Sequence, residues 1–181
     1  LIIAPEHDNI TGSNVISTKG ALHKVTQEKI NKSMKEQAVL FNDFPKPYSS
    51  VLLGGSTHRY KMTSAALNDI IQKILSIRDI TKGSVLVTPS FRTPFRSLLQ
   101  QALQNEPHIF LADIEKLNPY FTLLGIADFI FVTDDSVNMI SEACITGKSV
   151  YILPLLNHKG SKSLHFIEDL VHENRLRIFE N

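Results

Sequence analysis

Short runs of apolar residues alternate along this chain with longer stretches in which apolar residues recur every three to four positions. The runs predict strands at residues 1–4, 51–53, 84–88, 108–111, 128–133, 149–153 and 176–179. The longer stretches predict amphipathic helices, such as the one whose apolar stripe is Leu67, Ile70, Ile71, Ile74 and Ile77. Continuous apolar strands between amphipathic helices are typical of a parallel sheet covered on both faces. We therefore predict a doubly wound, mainly parallel, Rossmann-like α/β sheet of about six strands.

Capping residues and helix breakers predict where the helices begin and end. Thr26 is expected to cap a helix that ends before the prolines at 45 and 47. Thr93 is expected to cap another, with Pro94 at its first position. Gly147 should stop a helix that starts at residue 137, and Ser161 should open the last one.

The first 47 residues differ from the rest of the chain. Residues 1–25 have no sustained period and contain Pro5, Gly12 and Gly20, which predicts a strand followed by a long loop. From residue 48 onward the repeat of strand and helix is regular. We therefore predict an interdomain segment and helix at residues 1–47 and a Rossmann-like nucleotide-binding domain at residues 48–181.

Composition and charge narrow the classes of function. The 181 residues carry a formal net charge of +1, whereas a dedicated nucleic-acid binder would show a strong basic bias. The single cysteine excludes an internal disulfide and fits a reducing compartment. The apolar runs are too short to span a bilayer, and the first residues show no signal-peptide pattern. These features predict a cytoplasmic protein.

The sequence Gly54-Gly55-Ser56-Thr57 directly follows the predicted strand at residues 51–53. In a doubly wound sheet, ligands lie outside the carboxyl ends of the strands, at the switch in strand order. Two glycines there let the backbone turn sharply and approach a phosphate, whose oxygens the two hydroxyls could bind. The spacing matches neither the dinucleotide fingerprint nor the P-loop, so a tight turn that merely needs glycine is the alternative.

The sequence Asp134-Asp135-Ser136 ends another predicted strand and opens a helix. A helix N-terminus attracts phosphate through its unpaired N–H groups and its partial positive charge. Ser136 is therefore either a phosphate ligand or a helix cap. Glu142 lies about a turn and a half further on and could accept hydrogen bonds from ribose hydroxyls. A capped helix with a solvated glutamate is the alternative.

Two further loops at the same edge carry polar side chains. Arg92 could pair with a phosphate through its planar guanidinium, or be a surface arginine beside a helix cap. His158, Lys159 and Ser161 could close over a ligand, although the polarity of a loop explains them equally well. The candidate binding residues are accordingly Gly54, Gly55, Ser56, Arg92, Asp135, Ser136 and Glu142.

Other chemistries find little support in the sequence. The seven histidines form no His-Glu-x-x-His pattern and one cysteine cannot build a structural zinc site, so no metal is predicted. Cys144 lies on the apolar side of a predicted helix, which favours a core position over a nucleophile. His7-Asp8 is an isolated candidate for metal binding or acid/base chemistry. The sequence assigns no catalytic residue and no cofactor.

Several motifs together resemble those of the mitochondrial-fission "elongated mitochondria" family, which includes many bacterial members of unknown function. The main one is the run at residues 132–143, Val-Thr-Asp-Asp-Ser-Val-Asn-Met-Ile-Ser-Glu-Ala, with Thr-Gly-Lys-Ser-Val at residues 146–150. The others are His7-Asp8, Gly12-Ser13-Asn14-Val15, residues 18–23, Leu53-Gly54-Gly55, Arg92-Thr93-Pro94 and Asn118-Pro119-Tyr120. They cover nearly the whole chain in the right order, and one departure is Ser149, where proline is usual.

This resemblance implies an architecture and a ligand. Members of the family are longer and are similar to GT-B glycosyltransferases, which pair two Rossmann-like domains across a cleft. The chain would be the C-terminal, donor-binding half, with its N-terminal partner domain absent. The enzyme that adds N-acetylglucosamine to the lipid precursor of peptidoglycan looks most similar. By that likeness Gly54, Gly55 and Ser56 would meet a diphosphate, and Ser136 and Glu142 would hold the nucleoside.

Two functions are consistent with these observations. The first is a GT-B-like domain that binds a nucleoside diphosphate or nucleotide sugar, as part of a glycosyltransferase if it is active. Its acceptor could be associated with a membrane, to which the protein would then be peripheral. The second is a non-catalytic adaptor, because plant members of the resembled family are linked to recruiting a dynamin-like protein to the mitochondrial surface.

Overall fold

The computed structural model describes residues 1–58, 60–158 and 162–180. It contains two sheets, each of which is made of parallel strands. The smaller sheet consists of β1 (Ile2–Pro5) and β2 (Val15–Thr18). The larger consists of β3 (Tyr48–Leu53), β4 (Ser84–Pro89), β5 (Ile109–Leu111), β6 (Phe129–Thr133), β7 (Ser149–Leu153) and β8 (Arg177–Ile178). The prediction of an α/β fold with a parallel sheet of six strands is therefore confirmed.

The strand order of the larger sheet places its switch point between β3 and β6. The order is β5-β4-β3-β6-β7-β8, and every neighbouring pair is parallel. Counted from β3, this is the 3-2-1-4-5-6 order of dinucleotide-binding sheets. Leu52 of β3 pairs with Val132 of β6, so the two strands end side by side. The loops that follow them, the glycine turn and the Asp134-Asp135-Ser136 sequence, consequently flank the switch point.

Helices cover both faces of this sheet. They are α1 (Gln27–Gln37), α2 (Ser64–Thr81), α3 (Arg96–Leu103), α4 (Tyr120–Ile126), α5 (Val137–Cys144) and α6 (Lys162–His172). The predicted stripe of α2 is fully buried. Val51 and Leu53 pack into one apolar cluster with α2 and α3, while Leu52 between them packs into another with α5 and α6. This alternation explains why the strands are apolar throughout.

The long N-terminal loop predicted after the first strand is wrong. A 3-10 turn occupies Glu6–Asp8, and β2 pairs with β1 so that Ile2 lies opposite Val15. The pattern gave no signal for β2 because Ile16 and Ser17 are exposed and Val15 and Thr18 are only partly buried, so this strand lacks the burial that marks a core strand.

The predicted start of α3 is also corrected. Thr93 does not cap the helix, which begins at Arg96 after Phe95 in a left-handed conformation. The buried Thr93 hydroxyl donates instead to the Gly54 carbonyl at 2.5 Å, because the loop after β4 packs on the glycine turn. Thr26 caps α1 as predicted. Ser161, the predicted start of α6, lies outside the described residues.

Candidate functional site

The carboxylate of Asp135 lies in the glycine turn after β3. Its Oδ2 accepts a hydrogen bond of 2.9 Å from the Gly55 N–H, and its Oδ1 accepts one of 2.7 Å from the Thr133 hydroxyl. The Thr133 Oγ1 accepts in turn from the Gly54 N–H at 2.8 Å. A side chain at Gly54 would fall on the Asp135 carboxylate, which is 0% exposed. The glycine is therefore required by a residue of the chain itself, since the Asp135 carboxylate occupies the space beside it.

The next two residues of the turn have internal partners as well. The Ser56 N–H donates to the Arg92 carbonyl at 3.2 Å, and the Ser56 Oγ accepts from the Met62 N–H at 3.2 Å. The Thr57 N–H donates to the Tyr60 carbonyl at 2.7 Å. All four consecutive N–H groups at residues 54–57 are thus hydrogen-bonded within the chain. A phosphate could reach them only by displacing one of these acceptors.

Arg92 lies at the carboxyl edge of the sheet, where it was predicted, and its guanidinium pairs with the Asp135 carboxylate. Its guanidinium is 3.4 Å from the Asp135 Oδ2 and 3.5 Å from the Ser56 carbonyl, while its side chain is 44% exposed. The backbone of Arg92 also packs so closely on Gly55 that a side chain at Gly55 would strike it. The structure therefore brings Gly54, Gly55, Ser56, Arg92 and Asp135 together in a closed internal network.

The N-terminus of α5 has backbone N–H groups that could still bind an anion. Ser136 is the N-cap, and its hydroxyl accepts from the Met139 N–H at a long 3.5 Å. The N–H groups of Val137 and Asn138 have no acceptor in the described part of the chain. A partial positive charge therefore persists at this helix end.

Glu142 is hydrogen-bonded to another side chain of the protein. Its Oε2 accepts from the Tyr120 hydroxyl at 2.5 Å. Burial, and then the charge of Glu142, raise the pKa of Tyr120, so the phenol remains a donor. Tyr120, Met139 and Phe91 line a neighbouring cavity of about 130 Å³. Sites for small molecules usually measure about 300–1,000 Å³, so this cavity is small for a nucleoside.

A second buried cluster lies at the ends of β6 and β7, and the sequence did not predict it. The His158 Nδ1 is 3.0 Å from the Asp134 Oδ1, within ion-pair distance although the two groups are not aligned for a hydrogen bond. The Tyr60 ring packs on the His158 ring, with centroids 5.0 Å apart, and its hydroxyl donates to the Leu156 carbonyl at 3.2 Å. The loops after β3 and β7 are therefore tied together over β6.

Burial controls the acid–base behaviour of this cluster. It raises the pKa of the Asp134 carboxyl, and the neighbouring His158 opposes that rise. Burial, and then the Asp134 charge, raise the pKa of Tyr60 to about 12. The closure of His158 over a ligand stays a prediction, and Lys159 and Ser161 lie outside the described residues.

Two further sequence candidates, His7 and Cys144, lie outside these clusters. His7 packs its ring on Phe166 of α6, with centroids 5.3 Å apart. Cys144 is half-buried, and burial raises the pKa of its thiol to about 11. Within residues 1–58, 60–158 and 162–180, no three metal-ligating side chains form a group, and no helix is long and apolar enough to cross a membrane.

The sequence matches one protein family over its whole length. The model of the family described as Mitochondrial fission ELM1 matches residues 1–181. The chain is 31% identical over 168 residues to "Mitochondrial fission protein ELM1" of Arabidopsis thaliana, covering 92% of the chain and 39% of that relative. It is 29% identical over 185 residues to "Uncharacterized protein RP120" of Rickettsia prowazekii (strain Madrid E), covering 96% and 50%. The chain thus spans half or less of these relatives' lengths.

Among solved structures, distant likenesses are to decarboxylase-type proteins. The epidermin biosynthesis protein EpiD from Staphylococcus aureus is 15% identical, with a TM-score of 0.47 over 74% of this chain and 82% of that one. AnUbiX (PadA1), solved in complex with FMN and dimethylallyl pyrophosphate, is 12% identical, with a TM-score of 0.44 over 75% and 78%. These likenesses are too low to indicate the chemistry of this chain.

Proposed function

Since the chain belongs to the mitochondrial fission ELM1 family, we propose that it acts as a non-catalytic adaptor that keeps a Rossmann-like fold for protein–protein interaction. The observation that carries this proposal is the closed glycine turn, in which the buried Asp135 carboxylate accepts from Gly55. A diphosphate entering the turn would meet a like charge and would have to break charge-assisted hydrogen bonds, each worth about 1.5–3 kcal/mol.

The loop after β4 is the surface that we assign to the partner. Phe91 and Phe95 are 72% and 48% exposed there, beside the closed turn. Phe95 has a φ of 53°, a left-handed conformation that costs a bulky residue roughly 1–2 kcal/mol. Strain of this kind clusters at functional sites, and exposed aromatic side chains are common anchors in protein interfaces. The partner we propose is a dynamin-like protein, in keeping with the fission role in the name of the Arabidopsis relative.

A binding experiment with purified proteins tests the adaptor function. The chain should bind a dynamin-like GTPase of its own organism, and Phe91→Ser and Phe95→Asn should each weaken that affinity by about tenfold, equivalent to ~1.4 kcal/mol. Asn tolerates the left-handed conformation, so Phe95→Asn should leave the melting temperature unchanged or higher. Ile80→Ser, at an apolar position on α2 that is 63% exposed, is the matched control. Absence of binding, or an equal loss with Ile80→Ser, would contradict the proposal.

Nucleotide-sugar binding is the second candidate, and one observation favours it. The free N–H groups of Val137 and Asn138 lie beside Ser136 at the switch point of the sheet, where ligands of such folds bind. In this candidate Arg92 would leave Asp135 for a phosphate, and the domain would be the donor-binding half of a GT-B-like enzyme. Any catalytic base would then come from residues outside this chain.

A thermal-shift panel of nucleoside diphosphates and nucleotide sugars separates the two candidates. A ligand at ~100 times its dissociation constant adds about 2.7 kcal/mol, or roughly 5–10 °C for a domain of this size. A shift that Glu142→Gln reduces would support nucleotide-sugar binding and contradict a purely adaptor role. If the chain is an adaptor, we expect none of these ligands to change its melting temperature.

The smaller sheet supports the proposed interdomain segment at residues 1–47. Ile2 and Ile3 are neighbours in β1 and are 45% and 48% exposed, so each face of this sheet leaves an apolar side chain in water. Two strands alone are only marginally stable in water. We therefore infer that a further domain covers the smaller sheet in longer family members. Amide hydrogens of residues 2–5 should exchange quickly in this chain and slowly in a longer one, and equal rates would contradict the assignment.

A further inference from the structure

A groove of about 610 Å³ lies between residues 18–23 and the C-terminal ends of α5 and α6. Residues 18–23 are held against α5, since the Ala21 N–H donates to the Ser141 Oγ at 3.0 Å and a side chain at Gly20 would strike Ser141. The volume is within the range of about 300–1,000 Å³ typical of small-molecule sites. We call this space the α5–α6 groove. It is separate from the glycine turn, and none of its lining residues belongs to that site.

The groove has an apolar floor that continues onto an apolar rim. Phe166 and Leu170 of α6 are buried at its base. Leu22 and Ile145 line it as well, and they are 61% and 57% exposed. Covering such side chains is favourable at about 25 cal/mol per Å² of apolar surface. An acyl chain laid along this floor would remove both rim residues from water.

The charges around the groove favour an anion. Its lining includes three cations, Lys19, Lys148 and Arg175, and one carboxylate, Glu173, which gives a net +2 with histidine neutral. Glu173 is already paired with Lys19. Arg175 therefore keeps a charge that no carboxylate of the described chain neutralises at ion-pair distance, whereas the Lys148 Nζ is held by backbone carbonyls.

Arg175 is the cation that remains for a ligand. The Lys148 Nζ donates at 2.8 Å and 2.5 Å to the carbonyls of Gly125 and Ala127 at the C-terminal end of α4, and neither of these residues lines the groove. The Arg175 guanidinium lies close enough to the Cys144 thiol to lower its pKa against the larger effect of burial. Cys144 is a wall residue of the groove, so the charge of Arg175 acts at that wall.

Helix capping accounts for Lys148, which binds the last carbonyls of α4, but not for Arg175. The last carbonyls of α5 accept from the N–H groups of residues 145–147, and those of α6 accept from residues 173–175. The Arg175 side chain is thus available to a ligand, and its planar guanidinium suits carboxylate and phosphate oxygens.

We propose that the α5–α6 groove binds a single-chain amphiphile with an anionic head group. The acyl chain lies along Phe166, Leu170 and Ile145, and the head group pairs with Arg175. The ligand contacts residues of both the interdomain segment and the Rossmann-like domain, so its binding holds residues 18–23 against α5. This site does not depend on the function proposed for the glycine turn.

Calorimetric titration of the full chain with dodecyl phosphate, kept below its critical micelle concentration, tests this proposal. We expect saturable binding that also slows alkylation of Cys144. Dodecyl maltoside supplies the chain without the charge, and inorganic phosphate supplies the charge without the chain. Both should bind at least about tenfold more weakly, because each lacks one of the two contacts. No saturable binding of dodecyl phosphate, or equal binding of dodecyl maltoside, would overturn the proposal.

Substitutions at the exposed rim locate the ligand without threatening the fold. Arg175→Gln and Ile145→Asn should each weaken dodecyl phosphate binding by about tenfold. Lys61→Gln makes the same charge change at an exposed position outside the groove and should leave the affinity unchanged. Circular dichroism and the melting temperature check that each variant is folded. An equal effect of Arg175→Gln and Lys61→Gln would place the anion elsewhere and overturn the assignment.

Discussion

The Asp135 carboxylate accepts a 2.9 Å hydrogen bond from the Gly55 N–H, which joins the loop after β6 to the loop after β3 across the switch point of the sheet. In dinucleotide-binding sheets with this strand order, a glycine turn after the first strand faces a phosphate. Here the protein supplies the anion itself, and Arg92 balances its charge from the loop after β4. The network therefore stabilises the three loops that follow β3, β4 and β6.

Asp135→Ala should lower the free energy of unfolding by about 2–4 kcal/mol, because it leaves the Gly55 N–H and the Thr133 hydroxyl without their acceptor. Urea unfolding followed by circular dichroism measures this change. Asp113→Ala is the control, since that carboxylate is 54% exposed in a surface ion pair, and such pairs contribute little to stability. Equal effects of the two substitutions would contradict an internal role for Asp135.

Gly54→Ala should destabilise the chain by about 1–3 kcal/mol, because its methyl group would fall on the Asp135 carboxylate. Part of that loss should disappear in the double variant Gly54→Ala/Asp135→Ala, since the clash then has no partner. Gly147→Ala provides the comparison, because Gly147 has a φ of 70° but open space around it. Additive effects of Gly54→Ala and Asp135→Ala in urea unfolding would show that the two positions do not interact.

Tyr120→Phe should cost about 1–2 kcal/mol, because it removes the phenol that donates to Glu142 at 2.5 Å. Tyr151→Phe serves as a matched control, since that ring stacks on Phe131 and its contribution is one of packing. Thermal unfolding should separate the two variants by a few degrees. If both variants melt together, the pairing of Tyr120 with Glu142 contributes nothing to stability.

Alkylation of Cys144 should be slow at neutral pH and rise steeply with pH. Burial raises the thiol pKa from 9.0 to about 11, and only the thiolate reacts. At pH 8 the thiolate fraction should therefore be about 100-fold lower than in the unfolded chain, since two pKa units separate the two forms. The iodoacetamide rate should keep rising about tenfold per pH unit up to pH 10. A plateau near pH 9 in the folded chain would show an unshifted thiol.

The sequence was sufficient to predict the sheet and most of its helices. Helical spacing over α2 and continuous apolar strands are local signals, and the burial of Ile70, Ile74 and Val51 confirms them. The strand β2 was missed because Val15–Thr18 buries almost nothing in this chain, so its residues carry no pattern. The start of α3 was misplaced because Thr93 uses its hydroxyl in a contact with a residue 39 positions away.

The candidate site was located from the sequence, but its internal pairing was not. Adjacent glycines and an Asp-Ser helix start are local features that identify loops at the carboxyl edge. The pairing of Asp135 with Gly55 joins residues 80 positions apart and depends on β3 and β6 being neighbours. The contact of Asp134 with His158 depends similarly on β6 and β7. A local pattern contains no information on which strands become neighbours, so these partners required the structure.

The amide resonance of Gly55 tests the closed glycine turn most directly. We expect its position in the amide spectrum of the isotopically labelled chain to stay unchanged when a nucleoside diphosphate is added to millimolar concentration, because Asp135 already accepts its N–H. The same spectrum of Asp135→Asn, which keeps the shape of the side chain, identifies the resonance and its dependence on the carboxylate. A saturable shift of the Gly55 amide in the wild-type chain would contradict the account, since it would show that a diphosphate displaces the internal carboxylate.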